Sequence, residues 1–391
     1  MTSMAAIAGG LIIALTTEFR AAKIQMNDQK AFWLAEAGMA DAVKRLKNDE
    51  INLNDGATDN STMANVSFAE GTYSVVLTRT GNDISTVVTG TFGGQSRVLN
   101  TTFTFSYGLP PAFSYALFGG NTNAQTFKVG NNNTAMALIS GDLFYNATAG
   151  VDIVDVKNSA QVTNGVVYAD QATGGGSYTL VTTVPSPLPT YPSFTSTFYD
   201  NKITTAEANS SGNFTLSSNN NLNLAGGTVY YDTVTIKNTA TVTGPGTIVA
   251  TKAITIQDQA AIGADVNIIT KKDVTIQDSA TVQSGGSIYA RTDITVKNSA
   301  NVTSSLLAPD SGQQITVSQT AQVSGILYTD KAVLKDDTVT QGSVVANKFG
   351  SNQIEGNAHL IFNSNVLPHT LPQGITGIEQ YTQKANSWNE S

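Results

Sequence analysis

Val234-Thr-Ile-Lys-Asn-Thr-Ala, Ile254-Thr-Ile-Gln-Asp-Gln-Ala, Val274-Thr-Ile-Gln-Asp-Ser-Ala and Ile294-Thr-Val-Lys-Asn-Ser-Ala are one phrase repeated at a spacing of 20 residues. A further copy, Ile315-Thr-Val-Ser-Gln-Thr-Ala, follows, and Val154-Asp-Val-Lys-Asn-Ser-Ala precedes them. Within each copy β-branched and polar residues alternate, which is the period of a strand and not of a helix. One such strand cannot bury its apolar side alone. A fixed period of this size means stacked units sharing a continuous core, so the stretch predicts a parallel, right-handed β-helix solenoid. Val234, Ile254, Val274 and Ile294 are expected to stack inward, with Ile236, Ile256, Ile276 and Val296 beside them. Val242, Ile262, Val282 and Val302 form another inward row, and Ile248, Ile268 and Ile288 a third. Ala240, Ala260, Ala280 and Ala300 read as a tight corner. Asn238, Asp258, Asp278 and Asn298 read as a turn row, because Asn and Asp tolerate left-handed backbone.

Outward from the repeat the pattern loosens. Short strands at 116–118, 127–129, 137–139 and 143–145 read as irregular first coils leading into the Val154 copy. Gly174-Gly175-Gly176 and Pro185, Pro187, Pro189 and Pro192 break the period. Residues 171–227 are therefore expected to be one insertion between neighbouring coils, with a short helix within 194–208. The closing coils run to about residue 365, and 366–391 reads as a tail lying on the last coil. Before the solenoid, 51–66 reads as a loop. Segments 71–78, 84–92 and 96–105 read as a three-stranded antiparallel sheet, with turns at Gly81-Asn82-Asp83 and Gly93-Gly94. The domain reading is thus a helix over 1–50, a small sheet over 51–110, the β-helix over 111–365 and the tail. The fold class is mainly β with one long N-terminal helix.

That helix opens on an uncharged, apolar run, Met4 to Leu15, shorter than the roughly 20 residues that span a bilayer. Phe32, Ala35, Met39, Val43 and Leu46 then recur at three- and four-residue steps, one face of an amphipathic helix. Gln29-Lys30-Ala31-Phe32-Trp33-Leu34-Ala35-Glu36-Ala37-Gly38-Met39, following an apolar segment, resembles the N-terminal region of PilX-type type IV pilus assembly proteins. The resemblance covers roughly residues 1–50. It implies a minor pilin, held in the inner membrane by its N-terminal helix before assembly and then part of a cell-surface pilus, with other pilin subunits as partners. The residues it marks for assembly are Phe32, Trp33, Ala35, Glu36, Met39, Val43 and Leu46. A prepilin-peptidase site and the family's longer apolar run are not in this sequence, so the chain is expected to begin inside the hydrophobic segment.

Composition narrows the chemistry. Charged residues are 13% of the 391, and the net charge of −8 argues against nucleic acid as a partner. With no cysteine there is no thiol nucleophile and no thiolate metal site. β-Helices include polysaccharide-cleaving enzymes, whose catalysis needs paired carboxylates. The candidate pairs are Asp258 with Asp278, Asp273 with Asp293, and Asp336 with Asp337. The first pair is flanked by Asn238 and Asn298 in the turn row and the second lies beside Lys271, Lys272 and Arg291, so turn formation and surface pairing explain them. Calcium is the one cofactor such rows suggest, although the Gly-Gly-x-Gly-x-Asp repeat is absent. His359 and His369 lack the partners of a zinc site. The expectation is a non-enzymatic structural protein, displaying a β-helix for adhesion to surface carbohydrate or for filament assembly. A membrane-anchored polysaccharide-active enzyme and a bactofilin-like polymerising scaffold are the alternatives.

Overall fold

The computed structural model describes residues 2–47, 59–80, 83–121, 126–130, 136–147, 153–183, 185, 188–348, 354–368, 371–383 and 389–390. The chain divides into two compact units, Met1–Gly108 with Ile378–Ser391, and Leu109–Gly377. The second is therefore inserted into the first.

In the first unit, α1 (Thr2–Lys47) runs 46 residues without a break, about 70 Å at 1.5 Å per residue. Four antiparallel strands follow: β1 (Asp59–Phe68), β2 (Gly71–Thr80), β3 (Asp83–Phe92) and β4 (Gln95–Gly108). The loop expected over 51–66 is thus overturned from Asp59 onward. Its Thr-, Met- and Val-bearing stretch pairs with β2, bent by a bulge where Asn65 takes φ +49°. The sheet is also wider than three strands on its far side. Ile378–Gln383 and Asn389–Glu390 both pair with β4. Much of the expected tail therefore belongs to this sheet, although its earlier residues Leu367 and Ile375 are buried in the second unit.

The second unit is a parallel β-solenoid of about 10 turns. The rows named from the repeat are its core: Val234, Ile254, Val274, Ile294 and their companions are at most 1% exposed. The corner row of Ala240, Ala260, Ala280 and Ala300 is fully buried, and Ala137, Ala160, Ala321 and Ala358 extend it. After Ile315 the register shifts. Ala332 stands opposite Ile315 and fills the core, while Val333 stands opposite Thr316.

The stacking order is not the sequence order. Leu117–Gly119 pair with Val344–Ala346, and Leu138–Ser140 pair with His359–Ile361. Ile354 bridges Leu334 on one side and Val129 on the other. The coils of 117–181 therefore continue the stack beyond the coils of 214–361. One turn at the junction is composite, with Ile354 and His359–Ile361 from the late chain and Leu117–Asn121 from the early chain. Ser343 Oγ locks it by donating to Tyr115 O, 2.7 Å away and 228 residues distant in sequence.

The segment expected as an insertion between neighbouring coils is instead a return strap. Residues 182–213 carry the chain from one end of the stack, at Leu180–Val181, to the other, at Phe214–Leu216. A strand cannot run back through a parallel ladder, so the strap lies along an outer face. Its aromatic rings are held there by a row of outward apolar residues including Val249, Ile269, Tyr289, Leu307 and Tyr328. Tyr199 stacks on Tyr289 at 4.0 Å between centroids, Tyr328 Oη donates to Pro192 O, and Tyr191 Oη donates to Thr329 O. The helix α2 (Thr197–Asn209) is the middle of the strap.

Candidate functional site

The long helix α1 splits into two halves. From Asn27 onward it lies on the sheet, with Ala31, Ala35, Met39, Ala42 and Leu46 buried at three- and four-residue steps and Leu34 buried beside Ala35. The backbones meet closely at Gly90, where a Cβ would stand 2.1 Å from Ala31 O, so no other residue fits there. Asp28 receives two hydrogen bonds from the Arg97 guanidinium, at 2.7 and 2.5 Å. Those bonds hold its carboxyl below the ordinary 3.8. Further along, Tyr73 Oη donates to Asp41 Oδ2 at 2.8 Å, and Arg45 donates to the same oxygen at 3.0 Å. Burial, and then the Asp41 carboxylate, push the Tyr73 phenol up to about 12.

The large apolar side chains described in the other half are exposed. Leu11, Ile12, Ile13, Leu15, Phe19, Ile24 and Met26 are all half exposed or more, with Phe19 at 77%. No helix among the described residues is long and apolar enough to cross a membrane.

Of the residues marked for assembly, Ala35, Met39 and Leu46 are buried against the sheet and Phe32 and Val43 pack partly on the same cluster. Trp33 stands out at 66% exposure, its ring edge-on to Phe32 at 6.0 Å, and Glu36 is half-buried. The polar clasps through Asp28, Asp41, Tyr73 and Arg97 were not legible from helical periodicity, because their partners lie 32 and 69 residues away.

The acidic candidates are turn residues. Asn238, Asp258, Asp278, Asn298, Gln319 and Asp336 all hold φ between +57° and +64°. From Asp258 to Asp336 each side chain reaches across to a neighbouring turn. Asn238 N donates to Asp258 Oδ2 at 3.0 Å, Asn298 Nδ2 to Asp278 Oδ1 at 2.6 Å, and Gln319 N to Asp336 Oδ2 at 3.1 Å. Asp273 Oδ1 accepts from Thr292 Oγ1 at 2.5 Å and from Asp293 N, and Asp293 Oδ1 accepts from Gln314 N. Asp337 Oδ1 accepts from Asn357 Nδ2. Backbone amides that end in a tight turn would otherwise go unpaired, so these carboxylates close turns. No group of three metal-ligating side chains occurs among the described residues. His359 lies in a ladder strand, half-buried, and His369 lies outside the described residues.

A further carboxylate pair appears only in the structure. Arg291 sits between Asp200 of the strap, at 3.7 Å, and Asp310 of the solenoid, at 3.6 Å. Burial raises the Asp310 carboxyl against the pull of Arg291. With the guanidinium between them, the two acids anchor the strap and do not face each other across open space. Lys271 with Glu207 at 2.5 Å is a second anchor.

No protein-family model matches the chain. No curated protein matches it. Among solved structures, the competence-associated pilin ComZ from Thermus thermophilus is similar over 93% of this chain and 97% of that one, at 12% identity and a TM-score of 0.32.

Proposed function

We propose that the chain is a structural subunit of a cell-surface filament of the type IV pilus class, with α1 as its assembly element and the solenoid as its displayed part. The observation that carries this reading is the bare half of α1. Seven large apolar side chains between Leu11 and Met26 lie in water on a helix whose second half is firmly packed. At about 25 cal/mol per Å² of apolar area removed from water, such a surface is stable only when something covers it. In a filament the cover is the same half-helix of neighbouring subunits. Before assembly it is the inner membrane, in which the segment lies.

Trp33 and Glu36, on the accessible side of the packed half, extend the contact surface toward the head. Ala35, Met39 and Leu46 serve assembly indirectly by fixing the helix to the sheet. The Thr- and Asn-rich faces of the solenoid suit contact with surface carbohydrate.

Shearing cells and pelleting the released filaments tests the reading. The protein is expected in the filament fraction, and wholly cytoplasmic recovery would sink the proposal.

A further inference from the structure

We infer that the solenoid docks end to end with a second copy of this chain, the turn at 171–181 of one copy seating on the turn at 214–231 of the next. Among the described residues both terminal turns are open. Thr228–Tyr231 are all half-buried where the matching strand Ser287–Ala290, inside the stack, is fully buried. At the other end Ala172, Tyr178 and Leu180 pack on the core but remain partly exposed.

The backbone points the same way. Phe214 N bonds to Thr233 O and Lys237 N to Leu216 O, so Thr215 turns its N–H and C=O away from the stack. Thr241 N bonds to Asn220 O and Leu224 N to Thr243 O, which turns Asn221 and Asn223 away likewise. At the opposite end Gly176 N bonds to Val156 O, and Val167 N and Ala169 N bond to Thr179 O and Val181 O. Ala172 and Leu180 therefore direct their groups outward. A parallel ladder offers the same alternation at each turn, so the outward groups of one end meet those of the other in the register used throughout the interior.

Natural sheets guard such edges with charge or proline. Residues 171–183 and 210–231 contain neither. The chain also contains a working example of the joint. The coils of 117–140 seat on those of 344–361 by ladder pairing between segments far apart in sequence.

The inference does not rest on the filament reading, which works through α1. To separate the two, the full chain is studied in detergent micelles that cover α1, by sedimentation velocity and electron microscopy over a concentration series. Wild type is expected to form end-to-end multimers that grow with concentration. Thr215→Asp with Asn221→Asp alters only exposed side chains at one end, and Thr173→Lys with Thr179→Lys does so at the other. Each double variant should keep the wild-type melting temperature and lose most self-association, and mixing the two should restore complexes through the Asp end of one and the Lys end of the other. A single monomeric species for wild type at every concentration would overturn the inference. So would association that the variants leave unchanged, or a mixture that behaves as its separate parts.

Discussion

The two halves of α1 differ in what they touch, not in what they are. Both are helical and both carry large apolar residues, yet Met39 is 5% exposed and Phe19 is 77% exposed. The packed half has its small residues where the sheet approaches, Ala31, Ala35 and Gly38 against Gly90, Tyr73 and Val88. Among the described residues, the bare half has none of the polar clasps that Asp28 and Asp41 give the other. One half stabilises the head. The other leaves an apolar surface that the head does not cover. Substitutions in the first should therefore be read in stability, and in the second in assembly.

The largest stability effect is expected at Met39. Met39→Ala removes a buried side chain from the cluster formed with Tyr73, Val75 and Leu99, at a cost of about 2–5 kcal/mol, checked by chemical denaturation. Gly90→Ala comes next. Its new Cβ would strike the backbone of α1 at Ala31 and Ala35, and overpacking of this kind costs about 1–3 kcal/mol.

Arg97→Gln should be milder and should carry a pH signature. Because Arg97 lowers the Asp28 carboxyl below 3.8, its contribution is fully present above that value. It is lost as pH falls through the lower, folded value. Wild type and Arg97→Gln melts should therefore differ at neutral pH and converge in strong acid.

Phe19→Ser should leave the melting temperature unchanged, since Phe19 is on the bare half, while recovery in sheared filaments falls sharply. A loss of stability at Phe19, or its absence at Met39, would break the division between the halves.

The solenoid was legible because its repeat is local. Each copy of the phrase states its own inward residues, and every row from Val234 to Val302 is where the alternation placed it. Stacking order was not legible. In a ladder like residues touch like, so the resemblance of the Val154 and Val234 copies says that both are coils and not that they are neighbours. The strap illustrates the same limit. Pro185, Pro189 and Pro192 mark a break in the period, but only the stacking of Phe194 and Tyr199 on Tyr289 and Tyr328 shows which face the chain returns along. Asp59–Phe68 was not legible for a different reason. Its Asn, Ser and Asp content matches a loop locally, and pairing with β2 overrides that preference. On α1 the apolar stripe was readable, whereas the clasps to Arg97 and Tyr73 depend on strands folded later in the chain.

The division of α1 can be tested with one label. The chain has no cysteine, so Phe19→Cys introduces a single reactive thiol on the bare half. Its maleimide labelling is compared between detergent-solubilised subunits and intact surface filaments. The account expects rapid labelling of the free subunit once detergent is diluted and near-complete protection within filaments. Equal labelling in both states would contradict burial of this half-helix by neighbouring subunits, and with it the proposed mode of assembly.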